Sequence, residues 1–146
     1  MRWRTAGFLI VGWVLAASVS AAEEHVAIFK NVSGTVHVIR GDAQIKAAGG
    51  MPLYRSDTVK SATHASGGIA FKDGTLVTLG PSTELSIRDY VFEPKASHYA
   101  FSVYLARGSA IYSSGKIGKL APDAVRVDTP RAVVGVRGTR FIVNAE

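Results

Sequence analysis

The segment GGIAFKDGTLVTLGPSTELSIRDY, residues 67–90, decides the fold. Ile69 and Phe71 face one way and Ala70 and Lys72 the other, and past Asp73-Gly74 the alternation continues with Leu76 and Thr78 against Val77 and Leu79. After Leu79-Gly80-Pro81 it resumes, with Leu85, Ile87 and Asp89 opposing Ser86, Arg88 and Tyr90. Successive side chains of a strand leave opposite faces, so a period of two bounded by Gly, Pro and Asp predicts strands with one face in a core. Asp-Gly admits the positive φ of a tight turn, and Gly-Pro interrupts the ladder where it stands.

Working outward, the same pattern covers GTVHVIRGD, residues 34–42, where His37 between Val36 and Val38 is expected to point away from the core. Residues 43–48 and 100–107 are the only stretches with helical potential. The second carries Phe101, Val103 and Leu105 at period two and is taken as a strand. Further bends are expected at Arg40-Gly41-Asp42, Arg107-Gly108 and Ser114-Gly115, and residues 92–97 form a polar loop between strands. A Gly followed by Thr or Ser and then apolar residues recurs at Gly34, Gly74, Gly108 and Gly138, at separations of 40, 34 and 30 residues. That spacing is too irregular for a strict repeat array. It suits unequal coils that each enter a strand from a Gly corner. An all-β fold is predicted, β-solenoid-like or a rolled β-sandwich of short strands, preceded by an N-terminal signal helix.

That helix is expected because Arg2 and Arg4 precede an uncharged apolar run from Ala6 to Ala17, after which small residues crowd Val19 to Ala22. The run is short of the roughly 20 residues a membrane span requires and has the form of a secretory leader. Residues 1–22 are therefore assigned to a cleavable signal peptide and 23–146 to one all-β domain. No membrane span is expected in the mature form. There is no Cys, so neither disulfides nor a lipid-modified Cys anchor can contribute. Charge is uneven: residues 23–106 balance, whereas residues 107–146 carry seven Lys or Arg against three Asp or Glu. A basic third suits an acidic partner or an anionic polymer, or is a solvated face, and export argues against nucleic acid.

Four segments in order resemble the FecR domain family. GTVHVIRG is followed by GMPLYRSDTVKSATHASGGIAFKDGT, in which Gly50, Leu53, Asp57, Thr58 and Val59 take the places of a Gly-x-x-Leu-x-x-x-Asp stretch. Asp73-Gly74-Thr75 and Gly80-Pro81 then match the family's hairpin and its Leu-Gly-Pro, and Gly108 matches a Gly that follows a hydrophobic strand. VDTPRAVVGVRGTRFIV, residues 127–143, is the most specific, with Pro130, Gly135, Gly138, Thr139 and Phe141 in motif positions. The resemblance covers residues 32–143. It implies a periplasmic sensing or signalling domain of structural, non-catalytic motif residues. FecR proteins proper carry a cytoplasmic anti-sigma segment and a membrane helix before the periplasmic domain; this sequence departs from that pattern, so a short form is expected, a signal peptide with a single domain and no anti-sigma segment. Family members commonly continue with more strands after the GVRGTRF match, so the expectation is either a domain that ends one layer early and exposes an edge, or a shortened gene product.

Apart from the resemblance, Pro130 forces Thr129 towards extended backbone. Ala132, Val133 and Val134 are expected to form a short buried strand, returning through Gly135 and Gly138 with Arg137 at the crest. Arg137 is either a recognition residue or the partner of a loop carboxylate such as Asp128.

No catalytic chemistry is expected. His25, His37, His64 and His98 sit in unrelated contexts, the acids are spread singly, and GVRGT is too short for a phosphate loop. The chain is expected to be no enzyme and to need no cofactor or metal. Its expected task is contact with another periplasmic or envelope protein by strand addition at an open edge, with Arg131, Arg137 and Arg140 as charged elements. The alternative is binding of peptidoglycan or another envelope polysaccharide, with Tyr90, Phe92, Tyr99, Tyr104 and Tyr112 as stacking platforms or else core.

Overall fold

A computed structural model describes residues 23–135 and 138–146; the predicted signal helix and Arg137 lie outside the described residues. Twelve strands form one curled sheet, a half-barrel whose bonded order runs β3-β2-β5-β8-β9-β7-β6-β1-β4 with three more strands beside β9. The strands are β1 (Ala27–Ser33), β2 (Val36–Arg40), β3 (Ala43–Lys46), β4 (Pro52–Leu53), β5 (Thr58–Ser61), β6 (Ser66–Phe71), β7 (Leu76–Leu79), β8 (Glu84–Glu93), β9 (His98–Ser113), β10 (Val125–Asp128), β11 (Val133–Gly135) and β12 (Arg140–Ala145), with one short helix α1 (Lys116–Leu120) before β10. The all-β expectation holds in its rolled form. Among the described residues every pairing is antiparallel except β10 with β9.

The roll follows from strands that bend rather than stop. β9 is 16 residues long. Its first half pairs with β8 (Glu93↔His98 to Glu84↔Arg107) and its second with β7 (Leu79↔Ala110 to Leu76↔Ser113), so β7 and β8 lie along one side of it. On the other side β10 follows the first half and β12 the second. The bend falls at Gly108, where φ is +89° and a Cβ would lie within 2.5 Å of Thr83 Cα and 2.8 Å of the Ser82 carbonyl oxygen. Thr83 Oγ1 accepts from Ser109 N–H (3.0 Å), and Ser61 Oγ donates to the Gly80 carbonyl (2.6 Å), pinning the corner. Gly34 marks a second bend, between β1 and β2. Gly74 does not; it is a hairpin tip, and the bend of that strand is at Gly80-Pro81.

Inside the roll the alternation predicted for residues 69–87 is reproduced: Ile69, Phe71, Val77, Leu79, Leu85 and Ile87 are buried. The phase then flips. Tyr90 is buried and Asp89 exposed, because a bulge between Ile87 and Asp89 inserts one residue against β9. Residues 43–46 are a strand, not a helix. A chain of rings, Phe71, Phe101, Tyr112 and Phe141, crosses the core with centroids 4.9, 5.6 and 4.9 Å apart in turn. It ties β12 to the centre.

Candidate functional site

Two motif residues, Asp73 and Thr75, are tied to each other in the hairpin. Asp73 is buried, and its Oδ1 accepts from the Tyr90 hydroxyl (2.9 Å) and Thr75 N–H (3.2 Å), its Oδ2 from Thr75 Oγ1 (2.7 Å) and Ile117 N–H (3.0 Å). Tyr90 Oη in turn accepts from Asp73 N–H (2.9 Å). The Asp-Gly-Thr hairpin thus seats the start of α1, a helix whose five residues show no legible period in the sequence. Burial, then the charge of Asp73, pushes the Tyr90 hydroxyl pKa upward; burial does the same to Tyr112. A second buried carboxylate, Asp57, takes two hydrogen bonds from Arg40 Nε (3.0 Å) and Nη2 (2.8 Å) and one from Tyr54 N–H (2.8 Å). That hydrogen bonding raises the pKa of Arg40. Sequence reasoning placed Asp57 and Asp73 but missed Arg40, which it took for a turn residue. The partners are far apart in the chain.

Asp128 is the third buried carboxylate, and it differs. Its Oδ2 lies 3.6 Å from Arg88 and 3.5 Å from Arg126, while its buried Oδ1 has no hydrogen-bond partner. Arg88 also covers the Tyr104 ring, 4.1 Å from its centroid. Among the described residues these two arginines hold Asp128. Of the five aromatic candidates, Tyr90 and Tyr112 are core, Tyr104 is covered by Arg88, and Phe92 and Tyr99 are half-buried against each other.

Beyond Asp128 the sheet opens. Pro130 sits in a turn closed by Thr129 N–H to the Ala132 carbonyl (2.8 Å), with Arg131 exposed at its tip. β11, expected to be buried, is largely exposed: Val133 retains 65% of its surface, and only Val134 is half-buried against the core. The reason is position, since among the described residues it pairs with β10 alone, at the outer limit of the sheet. Gly135 ends that strand. Gly138 and Thr139 lead into β12, where Arg140 is exposed and Phe141 stacks on Tyr112 at 4.9 Å. Arg131 and Arg140 serve different ends of β12. Arg131 borders a hollow of about 210 Å³ with Asn144, Ala145 and Glu146, whereas Arg140 borders one of about 480 Å³ with Val134, Gly135, Phe141, Ile142 and Val143.

Among the described residues one edge of β12 has no strand beside it, and the pairing with β9 fixes which backbone groups face that edge. Ser114 N–H donates to the Thr139 carbonyl (2.7 Å), and the register runs unbroken from there. In an antiparallel ladder hydrogen-bonded pairs alternate, so Phe141, Val143 and Ala145 bond to β9. Arg140, Ile142 and Asn144 turn their N–H and C=O groups to the free edge. The same residues carry the exposed side chains, Ile142 at 65%.

Among the described residues no group of three or more His, Asp or Glu is placed to hold a metal ion, and no helix is long and apolar enough to cross a membrane. The FecR family, described as FecR protein, matches residues 57–146. The chain belongs to the FecR family. FecR domains are envelope-associated and serve sensing and signalling rather than catalysis. The family match begins at Asp57, so the motif carboxylates Asp57 and Asp73 and the open edge all fall within it. No match was found among curated proteins or solved structures.

Proposed function

We propose that this FecR-family chain is exported by residues 1–22 and that residues 23–146 act in the periplasm as a non-enzymatic interaction domain that captures a protein partner. The contact is strand addition along β12, with main-chain hydrogen bonds supplying affinity and Arg131, Arg137 and Arg140 selecting for acidic neighbours. The observation that carries this reading is the outward row of N–H and C=O groups on Arg140, Ile142 and Asn144, beside exposed Ile142. A buried sheet would not leave those groups unpaired.

A photo-crosslinking amino acid at Asn144 tests it in the native envelope. The expected result is a discrete crosslinked protein, lost when Arg131, Arg137 and Arg140 are changed to Glu. Crosslinking unaffected by the triple change would remove the charged role. Retention on purified peptidoglycan, with no protein crosslink, would favour the polysaccharide reading.

A further inference from the structure

We infer that a second copy of this chain occupies the β12 edge, joining two molecules about a two-fold axis through Val143; the inference rests on the strand-addition reading above. The curled sheet has four outer strands among the described residues, and three of them are poor templates. β4 has two residues and contains Pro52, β11 has three, and β3 has four and ends in Lys46. Short strands, Pro and edge Lys are devices that discourage pairing. β12 has six residues and none of these, and its ladder with β9 contains no bulge.

Its sequence RFIVNA together with the following Glu146, residues 140–146, is self-complementary in one register. Residues opposite each other across an antiparallel pair share a face, so exposed residues must meet exposed residues and half-buried ones half-buried ones. Centring on Val143 satisfies this throughout. Arg140 then faces Glu146 of the second copy, Ile142 faces Asn144, Phe141 faces Ala145, and Val143 faces itself. The outward N–H and C=O groups of Arg140, Ile142 and Asn144 meet their counterparts, and opposite charges meet at both ends. Moving the axis to Ile142 keeps the faces but sets Arg140 against Asn144 and leaves Glu146 past the pairing. The charge pattern therefore selects the Val143 register. Arg140 has no ion pair with any other described residue, so it is available for this contact. The result is an isologous dimer in which β4-β1-β6-β7-β9-β12 continues directly into its copy.

An interface one strand wide falls in the small, weak class. Dimerisation should therefore appear as concentration dependence between about 1 µM and 1 mM. Sedimentation velocity of the full chain, recovered from the periplasm, is the test. Ile142→Pro removes an N–H that faces the edge and leaves every bond to β9 in place, so it should be folded by circular dichroism and monomeric at all concentrations. Arg140→Glu should raise the dimer Kd roughly tenfold by opposing like charges at both ends. Arg140→Glu combined with Glu146→Arg should return it to within about threefold of the starting value. If Ile142→Pro does not fold, the charge exchange carries the test alone. A wild-type chain that stays monomeric to about 1 mM overturns the dimer, as does a folded Ile142→Pro that still dimerises or a double variant that fails to recover. A monomer that still gives a protein crosslink at Asn144 would leave strand addition standing with a different occupant. Absence of both would remove the two together.

Discussion

Asp73 and Asp128 are both buried carboxylates on this sheet, 2% and 9% exposed, yet they are treated in opposite ways. Asp73 has four donors within 3.2 Å, three of them from other residues' side chains or backbone near the hairpin and one from α1. Asp128 has two loosely placed arginines and an oxygen with no partner. A fully satisfied carboxylate fixes the backbone around it; a half-satisfied one leaves its segment weakly specified. The difference maps onto the fold, with the Asp73 end closed by helix and hairpin and the Asp128 end leading into the exposed turn and free edges. The edge proposed to bind runs between the two: Arg140 starts β12 beside the Asp73 end, opposite the same Ser113 that pairs with Leu76, and Ala145 ends it towards the Thr129 turn.

The largest effect should come from Asp73→Ala. It strands the Tyr90 hydroxyl, Thr75 and Ile117 N–H in a dry interior, and a loss of about 4 kcal/mol is expected in urea melts. Next is Gly108→Ala, which combines a positive φ with a collision against Thr83, at about 3 kcal/mol. Unchanged stability there would mean the bend of β9 is softer than its contacts indicate.

A third test uses pH. Tyr90 and Tyr112 both have raised folded pKa values, from burial first. In the unfolded chain tyrosine ionises near pH ~10, so the unfolded state releases its protons first. Stability is then complete below that pH and falls above it, by about 1.4 kcal/mol per pH unit for each tyrosine. Tyr90→Phe should start less stable, since Asp73 loses a donor, but lose stability half as steeply above pH ~10. A slope unchanged by Tyr90→Phe would assign the alkaline transition to other groups. The smallest effect belongs to Asp128→Asn, expected to change stability by less than about 1 kcal/mol because its arginines are half-exposed and distant. A larger loss would make Asp128 as structural as Asp73 and erase the contrast.

Much of the closed end was legible in the sequence. Period-two alternation over residues 69–87 and the Asp-Gly hairpin are local signals, and local pairing obeys them. The bulge before Asp89 was not legible, because the partner strand decides where a residue is left over. Nor could the recurring glycines be sorted. Gly108 and Gly34 bend strands between the two halves of the sheet and Gly74 turns a hairpin, and only the packing around each tells them apart. At the open end the motif was recognisable, but burial was misjudged: Val133 and Val134 are both apolar, yet Val134 packs against the core while Val133 points away from it, a difference set by the face each takes on the outermost described strand. The basic residues were located singly. That Arg131 and Arg140 flank opposite ends of β12 depends on a pairing with β9 some 30 residues away.

The continuity of β9 has a mechanical consequence. β12 is bonded lengthwise to its second half, so tension along β12 would load those hydrogen bonds in parallel instead of peeling them one at a time. From β9 the load crosses the pinned corner at Gly108 and reaches β8 and β10 without passing through a loop. A pull at the edge is thus delivered to the opposite half of the molecule through a single stiff member.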